Sequence, residues 1–241
     1  MMAARTTWLD LPLKVRFSGP LFMKFDIITI FPNIFDSFLK ESLLARAQKK
    51  KLIKINLHNL RKWTDDRHQT VDSRPYGGGA GMVLKIEPIF RAVESLKLKV
   101  KSKKIRVILL SAKGKTFTQK DARRLAKYDQ IIFICGRYEG VDERVAKYIA
   151  DEEVSIGNYV LFGGEVPTMV IMEAVSRLVP GVVAKEESIK NESFTKKSAK
   201  EHPHYTRPEV FVLNGKKLKV LPVLLSGNHK KIDEWRTKNS K

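Results

Sequence analysis

The stretch IIFICGRYEG, residues 131–140, decides the fold class, because an apolar run of strand length ends there in a glycine loop. Its first five residues, 131–135, are continuously apolar, and residues 105–110 (IRVILL) nearly repeat the pattern. Runs of this length and composition are typical of central parallel strands that are covered on both faces. We therefore predict a sheet that contains these two segments as parallel strands.

Strand-like and helical patterns alternate along the rest of this region. Further strands are predicted at 25–31, 52–57 and 153–156, and helices at 33–48, 86–96, 118–128, 141–150 and 167–179. Thr118 is the predicted N-cap of its helix, because its hydroxyl can accept a hydrogen bond from a first-turn amide. This alternation predicts an α/β fold with a mainly parallel sheet, followed by a small C-terminal helical segment.

Composition divides the chain into four parts. Residues 1–22 lack the long apolar core of a secretory signal and are predicted to be a disordered extension or residues upstream of the natural start, which we place at Met23. Residues 23–184 form the predicted α/β domain. Residues 185–204 are polar and charged, which predicts a flexible linker. Residues 205–241 are short and basic, with one helical stretch near 230–237.

The charge is strongly unbalanced. Lys and Arg total 46 against 26 Asp and Glu, a formal net charge of +20. Such an excess favours a polyanionic partner, because phosphate contacts release counterions; an anionic membrane or a solubilising lysine surface are the alternatives. No apolar stretch is long enough to span a bilayer, so we expect no membrane partner. The single cysteine, Cys135, excludes an internal disulfide and fits a reducing cytoplasm, where it is expected to be buried rather than nucleophilic.

Three glycine-bearing loops follow predicted strands, at residues 111–114, 136–140 and 156–165. Open α/β sheets bind ligands beyond the carboxyl ends of their strands, and glycine allows close backbone approach. Each loop alone could be a tight turn, but the three together favour a ligand pocket. The chain has no dinucleotide or P-loop fingerprint, which disfavours those cofactors.

A fourth glycine run, residues 74–82, follows Arg67 and begins at Arg74. It could admit a phosphate backbone or a base, or it could serve as a hinge. His202 and His204 form an HxH pair without a cysteine nearby. Metal ligation there is disfavoured, and we predict no metal site.

Several long motifs, taken together and in order, resemble the bacterial tRNA (guanine-N1)-methyltransferases of the TrmD type, within the SPOUT superfamily. The resemblance covers about residues 23–235. The motifs are DDRHQTVDSRPYGGGAGM (65–82), CGRYEGVDER (135–144), SIGNYVLFGGE (155–165), SRLVPG (176–181), HYTRPEV (204–210) and PVLLSGNH (222–229).

The resemblance implies a deep trefoil knot in the C-terminal half of the sheet and an obligate homodimer whose active sites are completed by the partner subunit. It also implies transfer of a methyl group from S-adenosylmethionine to N1 of the guanosine 3′ to the anticodon, position 37, in tRNA. The expected location is the cytoplasm. Family members continue past the GNH segment with a helical tRNA-binding domain. We therefore expect either that the affinity for tRNA is reduced here or that the excess positive charge compensates for the missing contacts.

The resemblance places the S-adenosylmethionine site on the three glycine loops. The implied residues are Leu109, Leu110, Ser111, Gly136, Tyr138, Glu139, Ile156, Gly157, Asn158, Tyr159, Val160, Leu161, Gly163, Gly164 and Pro167. Tyr138 and Glu139 could instead be ordinary turn residues. For substrate binding, the implied residues are Gly81, Tyr76 and His204.

The reaction needs a general base for the N1 proton and a donor for charge that builds on O6. The resemblance assigns the donor to Arg177, which could otherwise be a helix-end cation that favours the dipole. It assigns the base to Glu192, where the family has aspartate; Glu186 and Glu187 are the alternatives. Glu192 could also be an exposed linker charge.

Two other functions remain open from the sequence. The chain could be a non-catalytic SPOUT-fold RNA-binding protein that lost activity through the aspartate-to-glutamate change. It could also be a methyltransferase that acts on rRNA or on another tRNA position, although the motifs argue against that reading.

Overall fold

The computed structural model describes residues 22–98, 104–184, 193–194 and 200–240. The predicted extension 1–22, apart from Phe22, lies outside the described residues, as does most of the predicted linker 185–204. The chain divides into two compact units after Ala184, and each is described by itself.

The first unit is built on a five-stranded sheet in the order β2-β1-β6-β5-β7, and every neighbouring pair is parallel. An antiparallel pair, β3 with β4, lies outside this sheet. The strands are β1 (Met23–Thr29), β2 (Ile53–Asn59), β3 (Asp72–Ser73), β4 (Val83–Leu84), β5 (Ile105–Thr116), β6 (Gln130–Cys135) and β7 (Glu152–Ser155). The prediction of an α/β fold with a mainly parallel sheet is confirmed.

Helices cover both faces of the sheet. They are α1 (Asp36–Lys40), α2 (Ser42–Lys49), α3 (Ile86–Leu98), α4 (Gln119–Leu125), α5 (Glu143–Tyr148) and α6 (Glu165–Ser176). One apolar core holds residues of α2, α4 and α6, and a second holds residues of α3 and α5. Every residue of β6 is buried, because alternate side chains point into the two cores. This explains the unbroken apolar run in the sequence.

The N-terminus of α4 confirms Thr118 as its cap. Its hydroxyl accepts a hydrogen bond from the amide of Asp121, and the Asp121 carboxylate accepts one from the amide of Thr118. This reciprocal capping box satisfies two amides that the first helical turn leaves unpaired.

The single helix predicted at 33–48 is wrong, because the chain is extended at Glu41 between α1 and α2. Phe35 and Leu44 are both buried in the same core. In one continuous helix, residues nine apart would point to opposite sides, since each residue turns the helix by about 100°. The break lets both side chains reach the core.

Strand β5 is longer than predicted, and this corrects the loop expected at 111–114. β5 continues to Thr116, with an irregularity between Leu110 and Lys115 where its pairing with β7 shifts. A side chain at Gly114 would place its Cβ 2.5 Å from the backbone nitrogen of Val154. Glycine is needed there because the two backbones approach so closely.

The C-terminal unit contains a hairpin that the helical prediction for 205–241 did not include. Its strands are β8 (Val210–Leu213) and β9 (Lys216–Lys219), and two helices follow, α7 (Pro222–Leu225) and α8 (His229–Asn239). The turn residues Asn214 and Gly215 have φ values of 50° and 77°. Asn-Gly is a strong sequence signal for such a two-residue hairpin turn. Within the described residues of the whole chain, no helix is long and apolar enough to cross a membrane.

Candidate active site

A cavity of about 230 Å³ lies at the carboxyl edge of the sheet. It is formed at the ends of β6, β5 and β7, which are adjacent in the sheet order. Every residue expected to bind the methyl donor lines this cavity except Asn158. The three segments that the sequence singled out separately are therefore brought together by parallel pairing.

The loop after β6 is held by backbone hydrogen bonds to the glycine-rich segment 74–82 and its continuation. The amide of Glu139 donates to the carbonyl oxygen of Met82 over 3.1 Å, and the amide of Leu84 donates to Gly140 over 3.0 Å. Tyr138 has a φ of 61°, a conformation that non-glycine residues rarely adopt and that is enriched at functional sites. The fold thus fixes this loop in a specific, strained shape beside the cavity.

Two of the expected substrate-binding residues lie in the first unit. Gly81 packs against Glu139, since a Cβ at Gly81 would lie 2.5 Å from the Cγ of Glu139. Tyr76 is fully exposed. The glycine run therefore lies against Glu139, a residue of the cavity lining, while Tyr76 is available to a large ligand.

The loop after β7 returns to the end of β6. The amide of Gly164 donates to the carbonyl oxygen of Gly136 over 2.9 Å. A side chain at Gly164 would place its Cβ 2.7 Å from the Cα of Cys135. This close approach explains the second glycine of the Gly163-Gly164 pair, because any larger residue would push the loop away from the sheet.

A buried ion pair that sequence reasoning missed joins these two loops. The Nε of Arg137 donates to Oε2 of Glu165 over 2.9 Å, and the hydroxyl of Thr29 donates to Oε1 over 2.7 Å. Glu165 is only 1% exposed. The Arg137 guanidinium also lies 4.9 Å from the ring centre of Phe31. The sequence does place Arg137 and Glu165 beside glycine residues, which could have marked them as site residues. It does not show that they pair, because they are far apart in the chain and meet only in the folded structure.

Cys135 is buried at the end of β6, as predicted, and its thiol lies 3.3 Å from the hydroxyl of Thr168. Burial, together with the negative charge of Glu165, raises the pKa of this thiol well above its usual range. A thiol that stays protonated is a poor nucleophile. Cys135 is therefore a packing residue of the hydrophobic core.

Arg177 lies away from this cavity, at the C-terminal end of α6. It lines a second cavity of about 420 Å³ between α6 and the α1–α2 segment, together with Glu41, Glu173 and Ser176. The structure therefore does not bring Arg177 to the cavity at the carboxyl edge of the sheet in its own chain.

The remaining expected site residues are distributed as follows. Glu192, Glu186 and Glu187 lie outside the described residues. His204 belongs to the C-terminal unit, where its ring nitrogen is 2.9 Å from the Glu201 carboxylate. Among the residues that the structure describes, no cluster of His, Cys, Asp or Glu is suited to hold a metal ion.

Comparison with known proteins identifies close relatives. The family described as tRNA (Guanine-1)-methyltransferase TrmD matches residues 23–241. A tRNA (guanine-N(1)-)-methyltransferase of Carboxydothermus hydrogenoformans is 52% identical over 218 residues, which is 90% of this chain and 83% of that protein. Proteins of the same name from Bacillus pumilus and Bacillus subtilis are 51% and 50% identical; the matches cover 90% of this chain and 87% of each relative.

Proposed function

Because the chain belongs to the TrmD family of tRNA (guanine-1)-methyltransferases, we propose that it methylates N1 of the guanosine at position 37 of tRNA, 3′ to the anticodon. The proposed methyl donor is S-adenosylmethionine, and the proposed location is the cytoplasm, where tRNA is modified. The cavity at the carboxyl edge of the sheet carries the proposal, since it gathers glycine-bearing segments from three adjacent strands.

The residues around the cavity fit S-adenosylmethionine better than a phosphate-bearing cofactor. Three acidic residues, Glu139, Glu143 and Glu153, line it against two basic ones, Lys113 and Arg137, and this excess favours a cationic ligand over an anionic one. The charge of Arg137 is already compensated by Glu165. Apolar side chains and glycine backbone supply the flat walls and hydrogen-bonding edges that an adenine needs. When bound, S-adenosylmethionine supplies an electrophilic methyl group on a sulfonium centre.

The guanine must lose its N1 proton to become a nucleophile. In our proposal Glu192 accepts this proton, and Arg177 donates hydrogen bonds to O6, where negative charge accumulates. A fixed guanidinium suits this role because it remains charged and presents several donors in one plane. Gly81 and Tyr76 are proposed to contact the tRNA, together with His204.

The separation of the two cavities supports a shared active site. Pro167 lines the donor cavity, and Arg177 lines the second cavity ten residues further along α6. That spacing corresponds to about 15 Å along a helix, whereas reacting atoms must approach to about 3–3.5 Å. We therefore propose that Arg177 serves the donor cavity of a second copy, in a homodimer.

The exposed face of α6 is suited to this dimer. Val166 and Val170 are 51% and 44% exposed, and they share a helix face with Glu173 and Arg177 because these positions are three or four residues apart. Apolar side chains in such a row are typical of a helix that packs against a partner.

For the chain as a whole, we propose the SPOUT domain at 23–184 with the deep trefoil knot of its family, a flexible linker at 185–204 and a tRNA-binding segment at 205–241. Residues 1–22 are proposed to be a disordered extension. The hydrogen bond from Gly164 to Gly136 brings the chain after β7 back to the end of β6, which such a knotted connection requires.

Two measurements test the function. Titration calorimetry with S-adenosylmethionine should show binding, and a tRNA transcript with guanosine at position 37 should accept one methyl group, while a transcript with adenosine there should accept none. Donor binding without methylation would instead support a non-catalytic RNA-binding protein. Methylation of both transcripts would move the target to another position.

A further inference from the structure

The hairpin of β8 and β9 is exposed on all eight strand residues. Its large apolar side chains include Phe211 at 54% and Val212 at 57% exposure. An isolated two-stranded hairpin is only marginally stable in water, and apolar side chains on both faces add to the unfavourable exposure. A partner that covers the hairpin would remove this cost.

The strand register separates two kinds of surface. Phe211 pairs with Leu218, and Leu213 with Lys216, on one face. The opposite face carries Val210 and Val212, paired with Lys219 and Lys217, since side chains alternate along a strand. One face therefore presents the Phe211 ring with two leucines and Lys216, and the other presents two lysines beside two valines.

The charges of the hairpin favour a polyanion as the partner. Residues 210–219 contain Lys216, Lys217 and Lys219 and no acidic residue; the nearest carboxylate in sequence is Glu209. Two copies of this hairpin packed together would bring like charges close, because each has three lysines and no carboxylate. RNA is attracted to them, and its unpaired bases can stack on exposed aromatic rings.

We propose that this hairpin is a tRNA-binding ribbon, in which Phe211 stacks on an unpaired base and Lys217 and Lys219 contact neighbouring phosphates. The inference rests on the proposed function and adds a specific tRNA-contacting surface to it. A flexible lysine side chain can extend beyond the edge of the ribbon, so both faces can contribute to one RNA loop.

The lysine contacts are tested through salt dependence. The double variant Lys217→Gln/Lys219→Gln should bind an unmodified tRNA transcript more weakly, and the slope of log K against log salt should fall by roughly 1.5, since each phosphate contact contributes about 0.7–0.9. Lys120→Gln/Lys127→Gln is the matched control, because it removes the same charge from exposed positions in and after α4. An equal change in both double variants would overturn the proposal.

Stacking is tested with two substitutions of Phe211. Phe211→Ala and Phe211→Leu should both lower tRNA affinity about fivefold or more with little change in the salt slope, because leucine keeps the apolar bulk but lacks a ring to stack on a base. Wild-type affinity for Phe211→Leu would rule out stacking. If Phe211→Ala dissociates an oligomer in sedimentation while tRNA affinity is unchanged, the hairpin is a self-association surface instead.

These outcomes are separable from failure of the proposed function. The readout is tRNA binding, with S-adenosylmethionine affinity measured in parallel and expected to be unchanged in all hairpin variants. A wild-type chain that methylates tRNA while its hairpin variants bind tRNA normally contradicts only the hairpin proposal. A wild-type chain that neither binds tRNA nor methylates it contradicts the proposed function.

Discussion

Arg137 donates from Nε to Oε2 of the buried Glu165 over 2.9 Å, and this ion pair joins two of the segments around the cavity at the carboxyl edge of the sheet. Removing one member of a buried pair leaves the other charge uncompensated, which typically costs about 3–5 kcal/mol. Because Thr29 of β1 binds the same carboxylate, the loop positions depend on contacts between residues far apart in the sequence.

We therefore predict that Glu165→Gln weakens S-adenosylmethionine binding at least tenfold. The amide has no charge and only one acceptor oxygen, so it cannot accept from both Arg137 and Thr29, and the spacing of the two loops is loosened. Arg137→Lys should act in the same direction, because lysine lacks the planar donor set of arginine. Calorimetry measures the affinity, and Arg106→Lys is a matched control, since Arg106 pairs with Glu152 over 2.9 Å. A lower melting temperature with normal donor affinity would limit the pair to a structural role.

Gly164→Ala is predicted to lower donor affinity more strongly than Gly136→Ala. The added Cβ at Gly164 would lie 2.7 Å from the Cα of Cys135, whereas at Gly136 the nearest atom, Cγ1 of Val141, is 3.6 Å away. A backbone atom cannot move aside as a side chain can, so only the first substitution displaces the loop. Comparable donor affinities for the two variants would show that the loop tolerates the displacement.

Arg177→Ala and Glu192→Gln are each predicted to reduce turnover while leaving S-adenosylmethionine affinity unchanged. Loss of a donor at a developing oxyanion typically lowers kcat by about 10²–10³. Single-turnover methylation of tRNA with saturating donor measures the effect on chemistry. Unchanged turnover in Glu192→Gln would transfer the role of the base to another carboxylate.

A mixed dimer is predicted to recover activity from two impaired variants when the donor is below saturation. If Arg177 of one copy serves the donor cavity of the other, Arg177→Ala and Gly164→Ala subunits together form one intact site and one doubly damaged site. About half of the dimers in an equimolar exchange mixture would carry this combination, with the usual statistical pairing. The methylation rate after subunit exchange, compared with each variant alone, is the measurement; no recovery would place both residues in one subunit's site.

Asp26 is predicted to make stability depend on acid pH. Burial opposes its ionisation, but hydrogen bonds from His58, Lys24, Asn56 and Gln130 outweigh burial and lower the pKa of Asp26 from 3.8 to about 2. The folded pKa is the lower one, so the stabilisation is present above about pH 4 and is lost as the pH falls towards 2. The shift corresponds to about 2 kcal/mol.

The variant Asp26→Asn tests this dependence. It should be less stable than the wild type by about 2 kcal/mol at pH 7, and the difference should shrink as the pH is lowered from 4 to 2. Urea denaturation across this range measures both free energies of unfolding. A difference that does not vary with pH would assign the loss to packing rather than to charge.

Much of the fold could be predicted from short segments of sequence. The unbroken apolar run at 131–135 identified a strand buried on both faces, and β6 is buried throughout. Thr118 and Asp121 have the residue types of a capping box, and they form one. The hairpin could also have been predicted, because Asn214-Gly215 is a turn signal that acts through two adjacent residues. Such features depend on neighbours in the sequence.

The sequence by itself determined the alternation of strands and helices, the glycine-bearing segments and the family to which the chain belongs. Only the tertiary structure decided that the chain breaks at Glu41, that β5 runs past the predicted loop, and that Arg137 meets Glu165. It also separated Arg177 from the cavity at the carboxyl edge of the sheet in its own chain. These outcomes depend on contacts between residues that are distant in the sequence. Whether two such residues are buried together or pair their charges is decided only when the packed core brings them close in space.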